Sequence, residues 1–220
     1  MSTLNEGDRF AVSPDVYTCL YAKVISEGPA GVKLVSFSDG TQSCDFNEQH
    51  ENWLRLNPDE DILYLAGPMR GIVYYNSYTF NLASRLLLDA GFEHVINPIE
   101  MDYEFGYDYE DLPEFHDWNE VPLGFSIEQA AGRCLSSVVV ADKVVLLPGW
   151  RESKGAMAEY SLAKWIGKQT VEANFYENEQ GQLGISFSGE GRRQRKIDTL
   201  RGRVCDYSRR FFDNLFRTEG

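Results

Sequence analysis

Apolar positions along this chain change their rhythm near residue 57, and the change divides the chain. Before it, apolar runs are short and separated by turn residues, predicting strands at Arg9–Val12, Tyr17–Ser26, Gly31–Ser36 and Thr41–Phe46. Ser13-Pro-Asp, Glu27-Gly-Pro-Ala-Gly31 and Ser38-Asp-Gly40 supply the turns. This pattern reads as a small β-barrel or curled meander, SH3-like in flavour, over residues 1–57, with Asn57-Pro-Asp-Glu-Asp61 as a linker.

After the linker the apolar runs lengthen and alternate with helical spacing. Ile62–Ala66 is apolar throughout, as a strand buried on both faces requires. A helix follows over 76–90, facing the core with Phe80, Ala83 and Leu87 and stopping at Gly91. His94–Asn97 reads as a second short strand ended by Pro98, and 126–136 as a helix. Ser137–Leu147 divides into the end of a helix and a strand at 143–147. A helix at 155–166 then ends at Gly167, and Lys168–Ala173 reads as a further strand. This β-α-β-α-β order predicts a Rossmann-like parallel sheet flanked by helices over 58–175. Residues 176–220 read as the rest of a hairpin, 174–189, turning around Asn178-Glu-Gln-Gly181, and a basic helix over 195–216.

Two segments depart from this alternation. Residues 99–120 hold nine acidic side chains, no Lys or Arg, and six aromatics. An insertion of that kind at a strand's carboxyl end suits an active-site lid, or equally a surface excursion packed by its own rings. Residues 192–217 hold nine Lys/Arg against three Asp, so within a net charge of −13 the remainder carries −19. The acidic body opposes general binding to nucleic-acid polymers. The basic segment suits docking on that body or on a partner subunit, or contact with nucleic acid or a host protein. No apolar run reaches the roughly 18 residues of a membrane span. The first residues lack a signal peptide's pattern, and Cys19, Cys44, Cys134 and Cys205 are scattered, as in a cytoplasmic protein with reduced thiols.

Candidate chemistry gathers in two strand-to-helix turns. In Tyr64-Leu-Ala-Gly-Pro-Met-Arg-Gly71, Gly67, Pro68 and Gly71 let backbone N–H groups approach an anion, and Arg70 adds a charged fork. The bland alternative is a tight turn with an exposed arginine. In Leu146-Leu-Pro-Gly-Trp-Arg-Glu-Ser-Lys-Gly-Ala-Met-Ala-Glu159, Ser153 suits a helix N-cap or an anion contact, with Gly155 beside it. Glu159, in the first turns of that helix, is either an ordinary exposed glutamate favoured by the helix dipole or a carboxylate able to attack an electrophilic sugar carbon. In a parallel α/β sheet such turns line one crevice at the carboxyl ends of the strands.

Taken in order, these turns, Asn97-Pro-Ile-Glu-Met-Asp102 between them, and Ala141-Asp142 resemble the nucleoside 2-deoxyribosyltransferase-like superfamily over residues 62–172. The likeness is nearest to an uncharacterised branch common in phages, and extends to the deoxynucleoside 5′-monophosphate N-glycosidases. The resemblance implies that Glu159 attacks C1′ of a deoxyribose. It implies that Ser153 and Gly155 hold the sugar or its 5′-phosphate, and that Gly67, Arg70 and Gly71 form the first loop of the nucleotide site. Asn97, Glu100 and Asp102 match the turn leading over the pocket. Either water or a second base completes the reaction, with no metal or redox cofactor implied. A homo-oligomer is expected, located in the host cytoplasm if the chain is phage-encoded. One departure stands out: Cys134 occupies the position, eight before Asp142, where the family carries an Asp. A thiol cannot supply a carboxylate's hydrogen bonds. Either Glu128, Asp108 or Asp111 substitutes, or the chain binds nucleotides without turning them over. Asp142 itself, at the start of a buried strand, reads as structural. A third reading makes the chain an adaptor that uses its β-module and basic tail.

Overall fold

The structure is a computed structural model that describes residues 5–12, 20–27, 33–43, 54–57, 60–112, 117, 120–188 and 195–197. Five short strands come first: β1 Arg9–Ala11, β2 Tyr21–Glu27, β3 Lys33–Phe37, β4 Gln42–Ser43 and β5 Leu54–Arg55. They form an antiparallel sheet in the order β4-β3-β2-β1-β5. Phe10, Ala22, Val24 and Val35 are its small core. A register shift between Val24 and Ser26 interrupts the β2–β3 pairing, the kind of irregularity that bends a strand.

The second sheet is mixed, in the order β11-β10-β9-β8-β6-β7. β6 (Ile62–Ala66), β7 (His94–Ile96), β8 (Lys143–Leu146) and the start of β9 (Gln169–Glu177) are parallel. β10 (Leu183–Ser188) and β11 (Arg195–Ile197) are added antiparallel in turn. The helices are α1 Ser77–Asp89, α2 Pro98–Glu104, α3 Ile127–Val140 and α4 Lys154–Trp165. Every residue of β6 is buried because helices cover both faces. Leu63, Leu65, Val145 and Leu147 pack with Phe80, Ala83, Leu86 and Leu87 of α1. Ile62, Tyr64, Val144 and Leu146 pack with Val138 of α3 and with Ala156 and Ala163 of α4. Each fully buried aliphatic side chain contributes about 1.5–3 kcal/mol. Among the described residues, no helix is long and apolar enough to cross a membrane.

Three expectations need correction. Pro98 ends the strand but also starts α2, with Pro at the helix's first turn where its missing N–H costs nothing. β9 runs on to Glu177, so the parallel strand and the first arm of the hairpin are one element. Residues 195–197 are strand β11, not helix, because Lys196 and Ile197 find ladder partners in Ser186 and Ile185. Residues 198–216 of that expected helix lie outside the described residues, as do 17–19 and 44–46 of the expected strands.

The two sheets are joined by charge. Arg9 donates to the Asp142 carboxylate, to the carbonyl of Glu60 at 2.7 Å and to that of Asn57 at 2.8 Å. Asp142 also accepts from the Ile62 N–H at 3.0 Å. Asp142 is therefore structural, fixing where β6 begins. Ser137 of α3 donates to the Ser38 carbonyl at 2.8 Å, and Tyr21 of β2 is buried in the core under α3 and α4.

Candidate functional site

The parallel strands leave β6 in opposite directions, to β7 on one side and to β8 on the other. Their carboxyl ends at β6 and β8 therefore flank a switch in strand order, where α/β sheets form crevices. The two Gly/Pro turns meet there. A Cβ on Gly67 would stand 3.0 Å from Leu147 Cβ and 3.2 Å from Phe80 Cζ, so only a glycine lets the turn approach that closely. Gly149, at φ +79°, lies against Pro68; a Cβ there would stand 3.3 Å from Pro68 Cγ.

The turn after β6 continues in a strained conformation. Gly71 has φ +80°, and Tyr74, Tyr75 and Asn76 have φ of 49°, 50° and 62°. A left-handed residue other than Gly costs about 1–2 kcal/mol, so three in succession persist only where surroundings hold them. Here the Asn76 amide donates to the Pro68 carbonyl at 2.7 Å. The Tyr75 ring stacks on Tyr109 with centroids 4.8 Å apart, and its hydroxyl donates to the Glu120 carbonyl. The acidic, aromatic segment is thus tied onto the first turn of the crevice.

Beneath the turns lies the candidate nucleophile. Ser153 caps α4, its Oγ accepting from the Ala156 N–H at 3.3 Å, and Glu159 follows within the second turn. The Tyr64 hydroxyl donates to Glu159 Oε1 at 2.8 Å. Glu159 is only 8% exposed, and burial pushes its carboxyl up to about 7 despite the donors that favour its anion. Those donors are Tyr64 and the thiol of Cys134, which sits against both. Burial, with the Glu159 charge beside it, raises the thiol too, so it stays protonated.

Cys134 also faces a second buried group. Asp102 on α2 is 5% exposed, accepts from Tyr109 at 2.7 Å and from Arg133 at 2.8 Å, and is raised by burial against their opposing effect. Arg133 lies 4.1 Å over the Phe105 ring, and its Nε is buried without a partner. Ser77 Oγ at the start of α1 and Trp150 Nε1 after β8 are buried without partners as well. Orphaned polar atoms of this kind are uncommon in folded proteins and call for an explanation.

The candidate residues thus separate into two groups. Gly67, Pro68, Gly71, Ser153, Gly155 and Glu159 sit on the two adjoining turns and the helix they start, and Arg70 is exposed on the first of them. Asp102 belongs to the buried cluster beside Cys134. Asn97 and Glu100 face elsewhere: Asn97 caps α2 by accepting from the Ile99 N–H at 3.1 Å. It also donates to Asn81 at 2.9 Å and to Glu100 at 3.1 Å. These contacts fasten α2 to α1. Sequence reasoning missed Arg133, Tyr109 and Tyr75. An arginine adjoining Cys134 and a tyrosine between Asp108 and Glu110 were the available signals. Among the described residues, no three His, Cys, Asp or Glu side chains converge as a metal site needs.

Fold and site together define an α/β protein with a buried carboxylate beneath the carboxyl-edge turns of a mostly parallel sheet. The chain belongs to the family described as Domain of unknown function (DUF4406), which matches residues 61–172, just over half its length. No curated protein and no solved structure matches it.

Proposed function

We propose that this chain breaks, or transfers across, the N-glycosidic bond of a deoxynucleoside or its 5′-monophosphate. The observation that carries the reading is the buried Glu159 carboxylate, held by Tyr64 at 2.8 Å under the two adjoining turns. Glu159 attacks C1′ as the C1′–N bond breaks, and the base leaves with the bonding electron pair and takes up a proton. Water, losing its proton, or a second base then displaces the carboxylate from C1′. A carboxylate in a dry site also stabilises the cationic charge that develops on the sugar. Asp102, ion-paired with Arg133 at 2.8 Å, is a second buried carboxylate on the far side of Cys134 and holds α2 against α3.

Incubation with the four deoxynucleoside monophosphates, their nucleosides and the ribonucleotides tests this. Free base is expected from a deoxy substrate and is lost in Glu159→Ala. Base release that survives Glu159→Ala sinks the assignment. A second reading, binding without turnover, is favoured by Cys134 in place of the acid the family resemblance expects. Saturable binding with no base released, unchanged in Glu159→Ala, establishes that reading instead.

A further inference from the structure

The charges that join the two sheets do not balance. Among the described residues, Arg9 of β1, Lys23 of β2 and Lys168 just before β9 gather around the Asp142 carboxylate. Lys23 Nζ stands 3.7 Å from it. Lys143, next to Asp142 in the chain, is taken by Asp61. The last turn of α3 brings no charged side chain, and Lys164 in the last turn of α4 is exposed.

The neighbours of Lys168 fit one protonation state better than the other. Its Nζ donates to the Val139 carbonyl at 2.9 Å and to the Ala141 carbonyl, at the carboxyl end of α3. Lys23, in hydrogen-bonding contact with it, is an ammonium with donors and no acceptor. Two acceptors and a donor match a neutral amine, which has two N–H groups and one lone pair. They do not match an ammonium, whose third N–H would face a like charge. Burial, and after it the Lys23 charge, push Lys168 down to about 7 against the pull of Asp142.

Docking of the first sheet creates this setting. Lys23 and Arg9 both belong to that sheet, whose own buried core is Phe10, Ala22, Val24 and Val35. So small a core does not hold an isolated sheet, so its order reports its docking. Tyr21, on the same strand as Lys23, is buried in the second sheet's core with its hydroxyl 3.4 Å from His94 Nδ1. The turn after β3 rests on α3: a Cβ on Gly40 would stand 3.7 Å from the Arg133 backbone nitrogen. The helix that Lys168 caps is therefore the one that carries Cys134.

We propose that this joint is a pH-sensitive clasp, which holds the first sheet on the α/β body when Lys168 is the neutral acceptor of Lys23 and loosens when Lys168 takes a proton. Undocking withdraws Lys23 and Arg9, admits water, and returns Lys168 toward its ordinary 10.5. Between about 7 and 10.5 the undocked chain then holds a proton that the docked chain has released. Docking strengthens as pH rises through that window, by up to about tenfold per pH unit, and is level below it.

Amide hydrogen exchange on the full chain, expressed as protection relative to unstructured-peptide rates at each pH, tests this without reference to the reaction. Protection of β1 and β2 is expected to rise about tenfold or more between pH 6 and pH 9. Lys168→Met, which has no proton to lose, removes the rise. Lys168→Arg, charged throughout, keeps protection at the parent's low-pH level or below it. Flat protection in the parent overturns the proposal. So does a rise that persists in Lys168→Met, which assigns it to another group such as His94 against Tyr21. If Lys168→Met fails to fold, the Lys168 titration, followed by side-chain NMR in the parent and in Lys23→Met, decides instead. A midpoint that moves upward in Lys23→Met supports the clasp, and one that stays in place or already lies at the ordinary lysine value overturns it.

Discussion

Glu159→Gln should make the protein more stable at neutral pH while abolishing the proposed reaction. The substitution keeps the size of the side chain and an acceptor for Tyr64 but removes the charge. In the folded chain the carboxyl is raised by burial from its ordinary 4.5 to about 7. Between those values the folded state holds a proton that the unfolded chain has released. Stability therefore falls as pH rises through that window and is level above and below it. The window is about 2.5 pH units, at about 1.4 kcal/mol per unit, so the ionised Glu159 destabilises the fold by roughly 3 kcal/mol at pH 8. Gln has no such dependence. Any cost of burying its amide is the same at every pH and shifts the curve without tilting it. For a chain of this size, roughly 3 kcal/mol corresponds to about 6–12 °C in Tm. Thermal unfolding of both proteins by circular dichroism, from pH 4 to pH 8, measures the difference. The variant should gain on the parent between pH 5 and pH 7. A Tm difference that stays constant over that range, or shrinks as pH rises, refutes the reasoning that Glu159 is a buried, destabilising carboxylate. A gain in stability with loss of turnover is the usual mark of a functional group in an unfavourable setting.

The same geometry sets four further outcomes. Tyr64→Phe removes a hydrogen bond to the Glu159 anion, of order 1.5–3 kcal/mol. Titration of Glu159, followed by carboxyl NMR, should move upward by about one to two pH units. Base release, which needs the anion, should rise with pH through about 7, and Cys134→Asp should move that limb higher by setting a second negative charge beside Glu159. Gly67→Ala forces a methyl against Leu147 and Phe80 and should cost about 1–3 kcal/mol in urea unfolding. Asp142→Ala leaves the buried Arg9 without its carboxylate and should cost about 3–5 kcal/mol by the same measure.

The order of strands and helices was legible because it depends on spacing alone. Ile62–Ala66 is apolar at every position, which only a strand covered on both faces tolerates. Gly67 and Gly149, Ser153 as a cap, and Asp142 at a strand start could each be read from local rules. The expected helix at 195–197 was wrong because its three residues pair with β10, a partner distant in sequence. Local propensity carries no record of such pairing. Asn97 and Glu100 lie in the same short segment as Asp102, yet the turn of α2 sends them to α1 and sends Asp102 to Arg133.

The sequence by itself determined that this chain forms a helix-flanked sheet with two Gly/Pro turns and a glutamate beyond the second. Only the tertiary structure decided that those turns touch and that Glu159 is buried against Tyr64. It also decided that Cys134 stands beside Glu159 and that Asp102 pairs with Arg133. The physical reason is range. Turn chemistry and apolar periodicity act over a few residues, whereas burial, carboxylate pairing and strand direction arise between segments about 30 to 130 residues apart.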